Sequence, residues 1–212
     1  MNKEFQQLSQ TLHGELHFDD LYTRIYATDA SVYRKIPLAV AYPKDKNDLK
    51  ELVSFASRNK VSLVARAAGT SLAGQCVGEG IIVDTSNYFT RILAFDERNK
   101  TIKVEPGVVR DELNVFLEPF GLFFGPNTST SNRCMLGGMV GNNSSGTTSI
   151  QYGVTRDKIM EMNTILSDGS ESWFGPLSSD EFKEKLKGNS LESKIYNLFF
   201  NELSKKEVRD EI

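Results

Sequence analysis

The sequence is poor in the residues that usually build metal centres and disulfide frameworks. Its 212 residues include only two cysteines and two histidines. Cys76 and Cys134 lie far apart, and no CxxC motif or Cys/His cluster occurs, so neither a metal site nor a disulfide framework is indicated. We therefore expect free thiols in a reducing compartment.

Excess positive charge and long apolar runs are also lacking. The formal net charge is -3, which gives no support to binding of nucleic acid through a general basic field. No apolar run reaches 18 residues and the first residues do not resemble a signal peptide, so we expect a cytoplasmic protein without a membrane span. A bound phosphate would have to be held mainly by local backbone dipoles.

Hydrophobic patterning predicts a compact α/β unit in the first half of the chain. Phe5, Leu8, Leu12 and Leu16 have the spacing of a short helix. Asp45 is placed to cap a later helix, with an acid three residues on, Asp48, in the capping-box position. A buried strand is predicted from the apolar run at 38–42, and two further strands from the apolar runs at 61–65 and 80–84. This gives the order strand, helix, strand, loop, strand over residues 38–95.

The second half carries a similar but looser pattern. A strand at 101–104 precedes a helix marked by Val109, Leu113, Phe116 and Leu117. A turn at Ser167-Asp168-Gly169 predicts a hairpin between residues 159–166 and 171–174. A helical stripe follows at Leu191, Ile195, Leu198 and Phe199.

The segment between these elements, residues 125–153, has the composition of a ligand-lining loop. It contains six of the sixteen glycines, thirteen Ser, Thr or Asn residues and one charged side chain, Arg133. It also contains four apolar side chains that can pack into a core, which argues against a disordered linker: Met135, Leu136, Met139 and Val140. Its exposed backbone N–H groups, hydroxyls and amides suit a large, flat, polar cofactor, although plain turns around a small core remain the alternative.

A second small-residue loop, RAAGTSLAGQ at 66–75, directly follows a predicted strand. Gly69 and Gly74 have the spacing of a P-loop, but Gln75 and Cys76 replace the Lys and Ser/Thr of that motif, so nucleotide triphosphate hydrolysis is not expected. Neither loop contains the G-x-G-x-x-G of a Rossmann fold. The loop predicts a phosphate-binding nest of another kind, or else a tight connection between strands with Arg66 in a surface ion pair.

The two loops together carry a family resemblance. RAAGTSLAGQCVGEGIIVDTSNYFTRIL and GPNTSTSNRCMLGGMVGNNSSGTTSIQYG resemble the flavin-binding domain of FAD-linked oxidases and dehydrogenases, the vanillyl-alcohol oxidase/p-cresol methylhydroxylase superfamily. The nearest branch resembles D-lactate and glycolate dehydrogenases, which are often fused to an iron–sulfur domain. The resemblance implies an α+β fold of the PCMH type, in which two α/β subdomains bind FAD between them. Residues 1–95 would form the first subdomain, with the pyrophosphate loop, and residues 96–212 an incomplete second one.

The resemblance also implies the site residues and the chemistry. Residues matching the family's diphosphate loop are Arg66, Ala68, Gly69, Thr70, Ser71, Leu72, Gly74 and Gln75. Residues matching its flavin-lining segment are Pro126, Thr130, Ser131, Gly137, Gly138, Asn142, Asn143 and Gly146. No histidine occurs at positions 66–76, so noncovalent FAD is implied; His13 and His17 are expected on the surface.

The implied reaction is hydride transfer from a small 2-hydroxy acid, such as D-lactate or glycolate, to FAD. The family's substrate domain, its catalytic residues and any iron–sulfur cysteines are expected in a further C-terminal part, and the electron acceptor and catalytic residues stay unassigned. Peripheral membrane association is an option for the full enzyme only. Alternatives are a sugar oxidase, a UDP-sugar enolpyruvyl reductase, a non-catalytic flavin carrier, or a structural domain without a ligand.

Overall fold

The computed structural model describes residues 1–211, which form two compact units, the second beginning at Met160. The helices of the first unit are α1 (Asn2–Thr11), α2 (Asp20–Ile25), α3 (Lys46–Asn59), α4 (Arg110–Leu117), α5 (Leu136–Asn142) and α6 (Ser149–Tyr152), with 3-10 turns at Glu118–Phe120 and Thr155–Lys158. Its strands are β1 (Glu15–His17), β2 (Ala39–Tyr42), β3 (Leu63–Arg66), β4 (Ile81–Asp84), β5 (Ile92–Asp96) and β6 (Thr101–Val104).

A four-stranded sheet of order β1-β2-β4-β3 forms the centre of the first unit. Strand β4 lies between β2 and β3 and is parallel to both, whereas β1 pairs antiparallel with β2 at the edge. Strands β2 and β4 are buried along their whole length, as parallel strands covered on both faces usually are. The predicted strand, helix, strand, loop, strand order is therefore confirmed.

Alternating residues of these strands feed two separate cores. On one face, Ala39, Ala41, Ile81 and Val83 pack against apolar side chains of α1, of α3 and of Leu12 just after α1. The helix residues include Phe5, Leu8, Leu52 and Phe55. On the other face, Val40, Tyr42 and Ile82 pack with Val64 and a group of tyrosines, Tyr22, Tyr26 and Tyr88. The period of two along a strand thus makes the second face aromatic, and this face leads to the candidate site.

The start of α3 confirms one prediction and corrects another. Asp45 caps the helix as expected, because its side chain accepts from the N–H groups of Asn47 and Asp48. Asp48 does not complete a capping box: it is buried, and it accepts from the backbone N–H groups of His13, Gly14 and Lys44 at 2.8–2.9 Å. Backbone N–H groups beside β1 and β2 therefore bind the carboxylate that the local pattern predicts in the cap.

His13 lies on the surface as expected, whereas His17 and Leu16 differ from expectation. His13 is exposed and its Nδ1 lies 2.7 Å from Asp45 Oδ2. His17 is half-buried and stacks on the Tyr22 ring at 3.7 Å between centroids. Leu16 belongs to β1 and not to the first helix, which ends at Thr11.

A smaller layer of the first unit follows β4 in the chain and contains β5, β6 and α4. Strands β5 and β6 form an antiparallel hairpin, and α4 follows it. Val108, Leu113, Leu117 and Leu136 are the buried centre of this layer, and partly buried residues of the hairpin pack around them. The predicted strand at 101–104 and the helix after Val109 are confirmed, whereas β5 was not predicted. The division into subdomains at residue 95 stays a prediction about the FAD-binding fold.

The second unit contains β7 (Met162–Ile165), β8 (Glu171–Phe174), α7 (Ser179–Leu186), α8 (Leu191–Leu203) and α9 (Lys206–Arg209). The β7–β8 hairpin has the predicted turn, and α8 carries the predicted stripe. Helix α7 was not predicted; Ser178 and Glu181 form a capping box at its start. Within residues 1–211 there is no helix of the length and apolarity needed to cross a membrane.

Candidate functional site

The candidate site begins at the carboxyl edge of the parallel strands. Arg66 and Asp84 end β3 and β4, and the register places these two residues side by side. The backbone N–H of Thr85 donates to the Arg66 carbonyl at 3.0 Å, which closes the sheet at this point. In open α/β sheets, ligands bind beyond the carboxyl ends of the strands, and the RAAGTSLAGQ loop leaves β3 there.

The first loop presents backbone donors that no protein group uses. Gly69 and Gly74 adopt left-handed φ angles of 65° and 72°, a conformation that glycine enters at little cost. Among residues 1–211, the N–H groups of Ala67, Ala68, Gly69 and Thr70 donate to no protein acceptor. Four consecutive donors of this kind are the usual composition of an anion-binding nest.

The rest of the loop is partly organised by its own side chains. The Ser71 hydroxyl donates to Gln75 Oε1 at 2.5 Å and accepts from the Ala73 N–H at 3.2 Å. Leu72 is 79% exposed. Of the predicted residues in this loop, Ser71 and Gln75 therefore stabilise the turn, whereas Ala68, Gly69 and Thr70 contribute free backbone donors.

A segment that the sequence reading did not assign to the site holds this loop from outside. The backbone N–H of Ala30 donates to the Gly69 carbonyl at 3.1 Å. The Arg66 guanidinium donates from Nη1 to the Thr28 carbonyl at 2.9 Å and lies over the Tyr26 ring, with Cζ 4.8 Å from its centroid. Within residues 1–211, Arg66 therefore contacts a carbonyl and an aromatic face and forms no ion pair with a surface carboxylate, unlike the alternative prediction. No local pattern at residues 26–30 signals these contacts.

The second loop meets the first at the start of α5. A Cβ atom built at Gly138 would lie 3.5 Å from the Cβ of Ala67, which is ordinary van der Waals contact. The N–H of Gly138 also has no protein acceptor within residues 1–211. Gly137 donates to the Pro106 carbonyl at 2.8 Å and packs so tightly on that proline that a side chain would overlap it. The two loops, about seventy residues apart in the chain, thus converge, as the binding of one FAD by both loops requires.

Residues 126–131 are held in place by α4. Arg110 donates from Nε to the Pro126 carbonyl at 3.1 Å and pairs with Asp111 at 2.8 Å. The Ser131 hydroxyl donates to Asp111 Oδ2 at 2.9 Å, and the Thr130 carbonyl accepts from the two N–H groups at 133 and 134. Pro126, Thr130 and Ser131 are therefore fixed by protein contacts, and their role as flavin contacts stays a prediction.

The end of the glycine-rich segment is organised in the same way. Asn143 adopts a left-handed conformation that ends α5, and its Oδ1 accepts from the Arg156 N–H at 3.0 Å. Asn142 donates to the Ser144 hydroxyl at 3.1 Å. Gly146 passes so close to the Asn127 carbonyl that a Cβ would overlap it. The glycine-rich segment is consequently an ordered structure with a seven-residue helix, which its lack of periodicity did not indicate.

These features fit an elongated anionic ligand. Five N–H groups without a protein acceptor within residues 1–211, two left-handed glycines and the guanidinium of Arg66 occupy neighbouring positions. A Cβ at Gly69 would overlap the Arg66 guanidinium, whereas one at Gly138 would only reach the Cβ of Ala67 at 3.5 Å. The buried Asn127 Oδ1 also lacks a donor within residues 1–211, in the segment that would line the flavin. Two open grooves of about 580 and 520 Å³ lie in the second unit and include no predicted site residue. The convergent donors are therefore the stronger indication of a site.

Comparison with known proteins agrees with this geometry. Residues 37–175 match the protein family described as FAD binding domain. The chain is 32% identical over 188 residues to D-2-hydroxyglutarate dehydrogenase of Pseudomonas putida, a match that covers 87% of this chain and 19% of the relative. It is 33% identical over 168 residues to glycolate oxidase subunit GlcD of Bacillus subtilis, which covers 77% of this chain and 36% of the relative.

A solved structure with a similar fold is alkyldihydroxyacetonephosphate synthase, with a TM-score of 0.73 and 18% identity. The match covers 92% of this chain and 37% of that chain, and at this identity the likeness concerns the fold alone. The predicted α+β fold of the PCMH type is confirmed. The chain spans about a fifth to a third of the length of the two curated relatives described above.

Proposed function

The chain belongs to the family of FAD binding domains, and from that premise we propose that it is the FAD-binding part of a flavin-dependent dehydrogenase of a 2-hydroxy acid. The names of its relatives support this substrate class, because 2-hydroxyglutarate and glycolate are both 2-hydroxy acids. D-2-hydroxyglutarate, glycolate and D-lactate are the candidates to test. We assign cofactor binding to these 212 residues and leave substrate binding unassigned.

In this proposal, backbone N–H groups of the two loops bind the cofactor. The N–H groups of residues 67–70 and of Gly138 donate to the diphosphate oxygens, with Arg66 as the nearby positive charge. Hydrogen bonds to charged groups contribute about 1.5–3 kcal/mol each, so four of them give about 6–12 kcal/mol before ordering costs. That range brackets micromolar affinity. Bound noncovalently, FAD supplies the hydride acceptor.

The observation that carries the proposal is the approach of Gly138 to Ala67, where a Cβ at Gly138 would lie 3.5 Å from the Cβ of Ala67. Each loop alone has a plain structural explanation as a tight connection. Together they leave five N–H groups at one place without a protein acceptor within residues 1–211, four in the half-buried residues 67–70 and one in the exposed Gly138. Unpaired donors of the half-buried residues are costly unless water or a ligand accepts from them. The convergence of these donors therefore favours a bound anionic ligand over a structural domain without one.

The test is direct binding. The purified chain is titrated with FAD by calorimetry and by the change in flavin fluorescence, and we expect saturable binding in the micromolar range. The loaded chain is then mixed without oxygen with each of the three 2-hydroxy acids. Bleaching of the flavin band by one of them would support dehydrogenase activity within these residues. Binding without bleaching would support the cofactor-binding role alone, and absence of FAD binding by the folded chain would refute the proposal.

A further inference from the structure

Three side chains stand in a row on one face of the sheet at its carboxyl edge. Tyr42, Asp84 and Arg66 occupy the same face of β2, β4 and β3, since they continue the alternation of Val40, Ile82 and Val64. Tyr26 packs on this face and contacts all three. The row ends at Arg66, beside the phosphate loop.

Tyr26 is held by a chain of short hydrogen bonds. Its hydroxyl donates to Asp84 Oδ2 at 2.6 Å. Because its only hydroxyl proton is used there, Tyr42 donates to the Tyr26 oxygen, at 2.6 Å. Burial, followed by the hydrogen bonds to Asp84 and Tyr42, raises the pKa of Tyr26 far above its ordinary value, so the hydroxyl remains a donor. The second oxygen of the buried Asp84 accepts from the Ser86 N–H at 2.7 Å.

The ring of Tyr26 in turn carries the Arg66 guanidinium. The distance of 4.8 Å from Cζ to the ring centroid is that of a cation–π contact. The same guanidinium lies within 2.9 Å of the place that a side chain at Gly69 would occupy, so it supports the turn of the loop directly. Asp84, the nearest carboxylate in register, is engaged by Tyr26 and Ser86, which leaves the positive charge of Arg66 uncompensated by an ion pair with it.

We infer that Tyr26 is a positioning residue of the cofactor site: its ring, fixed by Asp84, holds Arg66 next to Gly69, where the guanidinium attracts the diphosphate. This inference rests on the proposed FAD-binding function. The ring supplies the positioning, whereas the hydroxyl supplies the anchoring of the ring. Removal of each part therefore has a different consequence.

The experiment is a double-mutant cycle on the dissociation constant of FAD, measured by calorimetry, with folding of every variant checked by urea unfolding. Tyr26→Leu removes the ring, and we expect FAD to bind about three- to tenfold more weakly, the range of a partly desolvated cation–π contact. In the Arg66→Met background the same change should alter the affinity less than about twofold, because the group that the ring positions is gone. Tyr26→Phe keeps the ring but removes its hydrogen bond to Asp84, so its FAD affinity should lie between those of wild type and Tyr26→Leu, and its stability should fall because Asp84 loses a donor.

Tyr88→Leu is the matched control. Tyr88 lies on the same aromatic face, with Lys44 Nζ 5.8 Å from its ring centroid, and its hydroxyl donates to Glu15 at 2.8 Å. Within residues 1–211, none of these contacts of Tyr88 involves the phosphate loop. We expect its FAD affinity to be unchanged.

Equal weakening by Tyr26→Leu in both backgrounds, equal weakening by Tyr88→Leu, or a Tyr26→Phe variant as weak as Tyr26→Leu would each overturn the inference. An Arg66→Met variant that binds FAD like wild type would overturn it too and would leave the proposed function standing. If the wild-type chain bound no FAD, both would fall.

Discussion

Replacement of Gly69 by valine tests the main-chain grip most directly. Gly69 has φ 65°, and a Cβ built on it would lie 2.7 Å from the Arg66 guanidinium. A left-handed conformation costs a residue with a side chain about 1–2 kcal/mol, and more for a β-branched one, so Gly69→Val should lower the free energy of unfolding by at least that amount. The new side chain would also stand between the loop's N–H groups and an incoming phosphate.

Gly121 provides a control with nearly the same backbone. Its φ is 64°, and a Cβ there would meet no atom within 4 Å. Gly121→Val should therefore pay a similar conformational cost without affecting the cofactor. Comparison of the two variants separates loss of fold from loss of binding.

The loss of affinity can be worked from the hydrogen bonds. If the valine removes one or two charge-assisted bonds, each contributing about 1.5–3 kcal/mol, the dissociation constant of FAD should rise at least about tenfold. The measurement is calorimetric titration with FAD, with urea unfolding of both variants in parallel. Unchanged affinity of the folded Gly69→Val variant would refute the assignment of this loop, and an equal loss in Gly121→Val would show that the effect acts through stability.

Three further predictions concern the second loop and the start of α3. Gly138→Val should weaken FAD binding about tenfold while leaving stability nearly unchanged, because a Cβ there would only reach Ala67 at 3.5 Å. Gly141 lies in the same helix, and a Cβ there would meet no atom within 4 Å, so Gly141→Val should bind FAD like wild type. Asp48→Ala should lower the free energy of unfolding by about 3 kcal/mol or more, since three backbone donors lose their buried acceptor, and urea unfolding at neutral pH measures it. The hydrogen bond to Asp45 raises the pKa of His13 above its ordinary value. The His13–Asp45 pair therefore contributes its full stabilisation below the unfolded-state pKa of the histidine, and this stabilisation is lost as the pH rises through the folded-state pKa. His13→Gln should therefore destabilise the chain more at about pH 5.5 than at about pH 8.5, and equal destabilisation at both would contradict this coupling.

Much of the first unit could be predicted from local pattern. The runs at 38–42 and 80–84 are apolar throughout and became the buried strands β2 and β4, because only strands covered on both faces need no polar alternation. Asp45 caps α3 as its position before an apolar period indicates. Short or irregular elements were missed: β1 has three residues, and the helix α5 contains three glycines, which lower helix propensity.

Long-range competition explains the predictions that were wrong. Asp48 looks like a capping-box acid when only its neighbours are considered, yet the N–H groups of His13 and Gly14, more than thirty residues away, bind it in the folded chain. Leu16 keeps helical spacing with the residues before it but pairs with Ala41 in a strand. A helix period over four residues is too weak to resist the hydrogen bonds that an adjacent sheet edge offers.

The sequence by itself determined that two stretches of glycine and small polar residues, free of obstructing side chains, are present and follow predicted elements, because backbone permissiveness is a property of residue type. Only the tertiary structure decided that Gly138 lies against Ala67, and that Tyr26 and Asp84 stand behind Arg66. Contacts between residues so far apart in the chain depend on sheet order and helix placement, which the packing of the whole core selects and no short window of sequence contains.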